Sequence, residues 1–354
     1  MWIYAAVLTI VGLFAALSLS LPKEHALRSI LLAVTFLVLV LFVGLRDRVG
    51  GDWEPYQAIF DSYAHVKFHD AFTTVLVEPG YALLNYVSSS VGGGIYLVNL
   101  VCAALMIGAL AKFADLVDAD PVFTLFLAMP YLVFTVGMGY TRQAVAIGLG
   151  CAALGYWVRG DRRKFFLIAL VATGFHYSAL FLFFVVWAKS WRRLVIAIPL
   201  AVAAGYVFIT QFYTHYFDLY VQNTADMHSS GVWFRLAIVL SGVVLAIFQK
   251  NRWREEPRLF RLIAMGSVIA LCLVPAAVVA STLADRVCLY LFFIYLVTFA
   301  RSMRFSPVEL RHCALAVAYA TTYACFLVWF ALSSYAVNFW IPYHSALLGG
   351  SGTR

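Results

Sequence analysis

Trp2–Leu21 reads WIYAAVLTIVGLFAALSLSL, an apolar run without a single charge. About 20 such residues cross the hydrocarbon core of a bilayer as a helix, and this one stretch decides the fold class. Lys23 follows the run instead of preceding it, which fits a retained span better than a cleaved signal peptide. The pattern repeats at Ser29–Leu45, Gly94–Phe113, Pro121–Val136, Thr141–Val158, Leu194–Thr210, Trp233–Phe248, Leu262–Ser281, Val287–Ala300 and His312–Ala331. The chain of 354 residues is 64% hydrophobic and 12% charged, whereas a soluble domain is nearer half apolar and a quarter charged. The expected fold is all-α: a polytopic transmembrane helical bundle of about ten spans, forming one integral membrane domain over residues 1–354.

Residues 165–188 break the regularity. Lys164 precedes them, Lys189, Arg192 and Arg193 follow, and Gly174-Phe175-His176 interrupts the middle. Two basic ends favour a re-entrant helical hairpin over an eleventh span, with the irregular backbone buried in protein or lining a cavity.

Lys and Arg are retained on the cytoplasmic side during insertion. With the amino terminus outside, eighteen of the 25 basic residues fall inside. The acids show no bias, as that rule expects. The net charge of +8 is therefore an orientation signal and no argument for nucleic acid. The outer surface receives two long segments, 46–93 and 211–232, and the aromatic tail Ser333–Arg354. A multi-pass membrane location is expected, with these segments on the non-cytoplasmic side. Cys102, Cys151, Cys272, Cys288, Cys313 and Cys325 all lie in apolar segments without a CxxC pair, so they read as buried hydrophobes.

Seven basic residues remain outside, and four of them, Arg46, Arg142, Arg235 and Arg286, stand at the ends of apolar segments. Guanidinium groups gathered there point to an anionic ligand. Arg142 opens a helix after Gly139-Tyr140. Backbone N–H groups at a helix start favour phosphate, while the same dipole end disfavours a lone cation, so an anion would complete the arrangement. Arg235 and Arg286 have loop acids such as Asp226 and Asp285 as ion-pair alternatives.

Three groups are base candidates. Asp52 follows Gly50-Gly51 and precedes Trp53; a carboxylate there can take a proton from a sugar hydroxyl, or simply cap a helix. Glu78 precedes Pro79 and reads as a second base, as an arginine's partner, or as a cap. His176 is the one ionisable group in a long apolar run, a placement that favours a cavity; a neutral core histidine is the plainer reading. Trp53, Tyr140 and Gln143 are candidates for sugar contact. Asp61, His65 and His69 are spaced by four, but surface histidine pairs are common, and no metal and no cofactor are expected. The outer aromatics Tyr213, Tyr216, Tyr220, Tyr335, Phe339, Trp340 and Tyr343 read mainly as an interfacial belt. Ala144, Gly148 and Ala152 read as a packing stripe.

At these residues the chain resembles the EpsG family, membrane polymerases of bacterial exopolysaccharide related in role to Wzy. The shared pattern is Gly44-Leu45-Arg46 with Gly51-Asp52-Trp53 and Tyr56, Glu78-Pro79-Gly80-Tyr81 with Asn85, Arg142-Gln143 with Ala146 and Gly148, and Phe175-His176-Tyr177-Ser178-Ala179. Arg286 with Tyr290 matches less sharply. The resemblance implies a glycosyltransferase that joins undecaprenyl-diphosphate-linked oligosaccharide repeat units and releases undecaprenyl diphosphate. Its implied partners are that lipid-linked substrate, membrane lipid, and a flippase, chain-length regulator or export proteins. The residues fit this chemistry, with arginines first holding the diphosphate and a carboxylate or histidine acting on the acceptor. A transferase using a polyprenyl-phosphate sugar, or a glycan ligase, uses similar parts but yields no product ladder. A flippase or other transporter calls for repeats and basic residues through the depth of a cavity, and neither is evident in the sequence.

Overall fold

The computed structural model describes residues 1–75, 77–187, 229 and 231–348. Among these residues no strand forms, and the backbone pairs outside helices only at one isolated bridge, Arg46 with Ser345. The described residues divide into two compact units, Met1–Ala179 with Leu296–Arg354, and Leu180–Tyr295. Among the described residues seven helices are long and apolar enough to cross a membrane, so the chain is an all-α polytopic protein.

In the first unit α1 is Trp2–Ser20 and α2 is Ala26–Gly44. The polar segment after α2 is partly helical: α3 is Trp53–Asp61 and α4 is Pro79–Ser90. The longest central helix, α5, is Gly94–Leu116, and α6 is Pro121–Ala128. A π-helical stretch Met129–Val136, wholly buried, carries α6 onward to Gly139. Then come α7, Thr141–Arg159, and α8, Arg162–Phe175. The unit closes with α9, Arg311–Leu332, and the short α10, Ser334–Trp340.

α5 is apolar on nearly every face and packs against α2, α6 and α7. Small residues allow those contacts. A Cβ added to Gly44 would lie 2.7 Å from the Leu100 Cα, and one added to Gly148 would lie 2.8 Å from the Met106 carbonyl oxygen. The stripe of Ala144, Gly148 and Ala152 is therefore packing surface, as its spacing implied. Without a hydrophobic driving force between helices in lipid, such close approach is what holds them together. Gly148→Val should separate α5 from α7, and overpacking of this kind costs about 1–3 kcal/mol or more. The expected outcome is a sharp loss of monodisperse protein on size exclusion after extraction; wild-type yield and melting temperature would show that the two helices need not touch.

One end of the bundle is tied by charge. Asp120, buried at the start of α6, accepts from the Phe123 amide at 2.8 Å and the Ser18 hydroxyl at 2.7 Å, and pairs with Arg28. Arg159 at the same end donates to the Leu116 carbonyl at 2.7 Å and pairs with Asp118 at 2.9 Å. The opposite end, where α7 begins, holds the candidate site.

The break expected near Gly174 is present: α8 stops at Phe175, His176 is extended, and a 3-10 turn runs Tyr177–Leu180. At 1.5 Å per residue the 14 residues of α8 cover about 21 Å. Its far end meets α4, since a Cβ on Gly80 would lie 2.8 Å from the Gly174 carbonyl oxygen. The break therefore lies at the end where α7 starts. Beyond the break the chain is helical again over Phe181–Trp187, in the second unit. The end of the expected hairpin, the span Leu194–Thr210, most of the segment 211–232 and Tyr213, Tyr216, Tyr220 and Asp226 lie outside the described residues.

In the second unit α11 is Val232–Phe248, α12 is Pro257–Val279 and α13 is Ser281–Tyr290; the helix Phe292–Ala300 that follows passes from the second unit into the first at Leu296. The short outer turn that the sequence suggests between the spans Leu262–Ser281 and Val287–Ala300, at Thr282–Arg286, is helix in the structure, which breaks the chain at Ala280. The reason is Asp285, which the helix buries against Arg235 of α11. Seven long apolar helices, α7 and α11 account for nine of the ten expected spans, the tenth being 194–210.

Candidate functional site

Four separate stretches meet where α7 begins. Arg142 lies in the first turn of α7 and donates from Nη1 to Glu78 Oε2 at 2.6 Å. Its guanidinium lies over the Tyr56 ring at 5.8 Å and the Tyr81 ring at 5.9 Å. Burial pushes the Tyr56 hydroxyl above its usual range, and Arg142 opposes that rise. Beneath lies an apolar floor of Trp53, Tyr56, Tyr81, Ile95, Val98, Cys102, Val145 and Phe175.

Glu78 occupies the cap position of α4, followed by Pro79, but its side chain makes no capping bond. It is 5% exposed and turns to Arg142 instead. Asp52 is likewise at the cap position of α3 without a capping bond from its side chain. It is half-buried, and its charge acts on Tyr56. Two acids in cap positions that do not cap have been directed elsewhere by the tertiary packing.

His176 stands 3.8 Å from Glu78 Oε1, measured from Nδ1. That nitrogen accepts from the Ser178 amide at 3.2 Å and contacts the Ser178 hydroxyl at 3.0 Å. An amide can only donate, so the neutral ring carries its proton on Nε2. The chain break after α8 thus presents a ring N–H donor beside an acid–guanidinium pair.

Arg46 is different. It is 1% exposed and donates to Val43 O at 2.8 Å, Val49 O at 3.2 Å, Asn99 Oδ1 at 3.3 Å and Thr141 Oγ1 at 2.9 Å. Its guanidinium lies 5.7 Å from the Trp53 ring centre. These neutral acceptors occupy the fork, and the side chain ties the end of α2 to α5 and to the first residue of α7. Trp53 and Gln143 are buried, while Tyr140 is half-buried at the cap of α7. Arg46, Asp52, Trp53, Glu78, Tyr140, Arg142, Gln143 and His176 all belong to the first unit.

Arg235 and Arg286 belong to the second. Arg235 is buried one turn into α11 and pairs with Asp285. Arg286 is half-buried on α13, one turn before Tyr290. Among the described residues no group of three His, Cys, Asp or Glu is placed to hold a metal. His69 instead contacts Asp70 at 3.1 Å on the surface.

Sequence reasoning passed over Thr141, Asn99 and the tail residues Tyr335 and Trp340 as parts of this region. Thr141 adjoins Arg142, which was a local clue. Asn99, 1% exposed inside an apolar helix, was the stronger one, because a buried amide needs a partner.

An all-α multi-pass membrane protein with an arginine–glutamate–histidine cluster at a helix start is the class that this geometry defines. A model of the EpsG family matches residues 29–345. The chain belongs to the EpsG family, and membership supports a Wzy-like polymerase of exopolysaccharide in general. No curated protein and no solved structure matches it.

Proposed function

We propose that this protein polymerises lipid-linked oligosaccharide repeat units at the cluster of Asp52, Glu78, Arg142 and His176. The observation that supports this best is the Arg142–Glu78 pair at 2.6 Å with His176 beside it, at the first turn of α7. A guanidinium at that helix end combines its fork with free backbone donors. The ligand it suits is the diphosphate of an undecaprenyl-diphosphate-linked glycan. Glu78 holds Arg142 in place until the diphosphate takes over the guanidinium.

The reaction transfers the growing glycan to a sugar hydroxyl of the next lipid-linked unit. The acceptor oxygen bonds to the anomeric carbon, the bond from that carbon to the diphosphate oxygen breaks, and undecaprenyl diphosphate leaves. Arg142 stabilises the charge that develops on the leaving oxygen. His176 donates from Nε2 to phosphate or sugar. Asp52, half-buried and uncommitted to its cap position, receives the proton of the acceptor hydroxyl. Tyr140 contacts sugar, whereas the buried Trp53 and Gln143 support the site from behind. Arg46 acts through Thr141 on the start of α7. Arg235, paired with Asp285, and Arg286 remain candidate anion ligands of the second unit by itself. The reading places the site on the non-cytoplasmic face of the inner membrane.

Reconstitution of the full chain with a purified lipid-diphosphate-linked oligosaccharide tests this. The expected product is a ladder of glycans spaced by one repeat unit, together with free lipid diphosphate. A single addition without a ladder would favour a ligase or a single-sugar transferase, and movement of intact substrate across the bilayer would favour a transporter.

A further inference from the structure

We propose that the segment Ser333–Ser345 is the positioning element of the site, fixing the separation between the Asp52 loop and the Arg142 helix. The inference rests on the reading of Asp52 and Arg142 as reaction partners.

Three glycines mark a junction of three chain segments. Gly50 has φ +103°, and a Cβ there would lie 2.2 Å from the Met138 carbonyl oxygen. A Cβ on Gly51 would lie 1.8 Å from the Tyr335 hydroxyl, and one on Gly139 would lie 2.8 Å from the Trp340 ring. Gly50, at positive φ against backbone, requires glycine, while a side chain at Gly51 or Gly139 would have to displace the Tyr335 or Trp340 ring. Asp52 follows this junction directly, and Arg142 follows it by three residues.

Hydrogen bonds lock the same junction. The Gly50 amide donates to Phe339 O at 2.8 Å, and the Asp47 amide donates to His344 O at 3.0 Å. The Ala346 amide returns a bond to Leu45 O at 2.9 Å. Trp340 is fully buried; its Nε1 donates to Phe134 O at 2.8 Å, within the π-helical stretch leading to α7. The Trp340 carbonyl in turn accepts from the Tyr4 hydroxyl at 2.9 Å. Tyr335 packs on Phe339 and Trp340 with ring centres 4.8 and 5.5 Å away.

This arrangement is unlike an interfacial aromatic belt, whose rings sit at the headgroup level. Trp340 is out of reach of a substrate and acts through the backbone it holds. A π-helical stretch is also a local departure from regular winding that is common next to functional sites, and the indole satisfies one of its carbonyls. The tail therefore fixes two backbones whose side chains must meet one substrate.

Two measurements on the full chain in nanodiscs test the proposal. The first needs no substrate. Trp340→Phe keeps an aromatic ring but removes the donor to Phe134 O. Deuterium uptake should rise in peptides covering both 47–53 and 137–145, while α5 stays unchanged. A rise confined to 333–345, or none, overturns the proposal. The second uses the lipid-diphosphate-linked oligosaccharide. Gly51→Ala should lower kcat by about 10²-fold, the scale of an ångström-sized misplacement, with a smaller change in KM. Gly51→Ala combined with Tyr335→Ala, which vacates the clashing volume, should recover at least about tenfold of that loss. Wild-type turnover in Gly51→Ala, or a double variant no better than the single one, overturns the proposal. Absence of product from the wild type would count against the polymerase reading alone, because the exchange result stands without it.

Discussion

Arg142→Ala makes no polymer while the protein still inserts and folds. The guanidinium bonds Glu78 at 2.6 Å, lies over two tyrosine rings and sits in the first turn of α7. No described side chain within its cluster duplicates it, since the fork of Arg46 is occupied by four neutral acceptors. An arginine that meets developing phosphate charge is worth on the order of 10³–10⁵ in rate. Product sizing after reconstitution reads the effect. Removing Arg142 alone leaves the Glu78 carboxylate buried without its cation, and an orphaned charge of this kind can cost about 3–5 kcal/mol. Arg142→Ala with Glu78→Ala removes both charges and so separates the causes. That double variant should regain the melting temperature and remain without polymer. A ladder of normal length from Arg142→Ala would remove this residue from the mechanism.

Asp52→Asn lowers kcat by about 10²–10⁴-fold, the range for loss of a general base. The change keeps the shape of the side chain and its place before α3, where Asp52 makes no capping bond. The near-isosteric replacement of this half-buried residue should leave the melting temperature close to that of the wild type. Glu78→Gln has a different signature. Glu78 is committed to Arg142, so its neutralisation frees the guanidinium and should act on substrate affinity more than on kcat. Steady-state kinetics with varied lipid-linked donor distinguishes the two. An unchanged ladder from Asp52→Asn would make it a residue of local structure. A loss of kcat confined to Glu78→Gln would transfer the base role to Glu78.

Much of the site's raw material was legible because it is local. Arg142 after Gly139-Tyr140, Glu78 before Pro79 and His176 after Gly174-Phe175 each announce a helix end or break, and short-range geometry governs such ends. Their partners were not legible. Glu78 and Arg142 are 64 residues apart, and Arg46 meets Asn99 and Thr141 across 53 and 95 residues. Arg46 reads from sequence as a ligand of the diphosphate, since an arginine outside the membrane looks available. Burial against neutral acceptors gives it the work of a tie. Trp340 read as part of an interfacial belt, because a tail rich in aromatics has the composition of one. Its bond to Phe134 O spans 206 residues, and no local pattern carries that information.

The sequence by itself determined that the chain is helical, crosses a membrane repeatedly and carries arginines at the ends of its apolar segments. Those properties follow from the cost of unpaired backbone groups in hydrocarbon, which residue order alone is enough to impose. Only the tertiary structure decided which charges meet, which cap-position acids turn away from capping, and that a distant tail closes around the glycines ahead of Asp52 and Arg142. Those outcomes depend on helix-to-helix packing, where small residues set how near two backbones come, and that distance exists only once the bundle has formed.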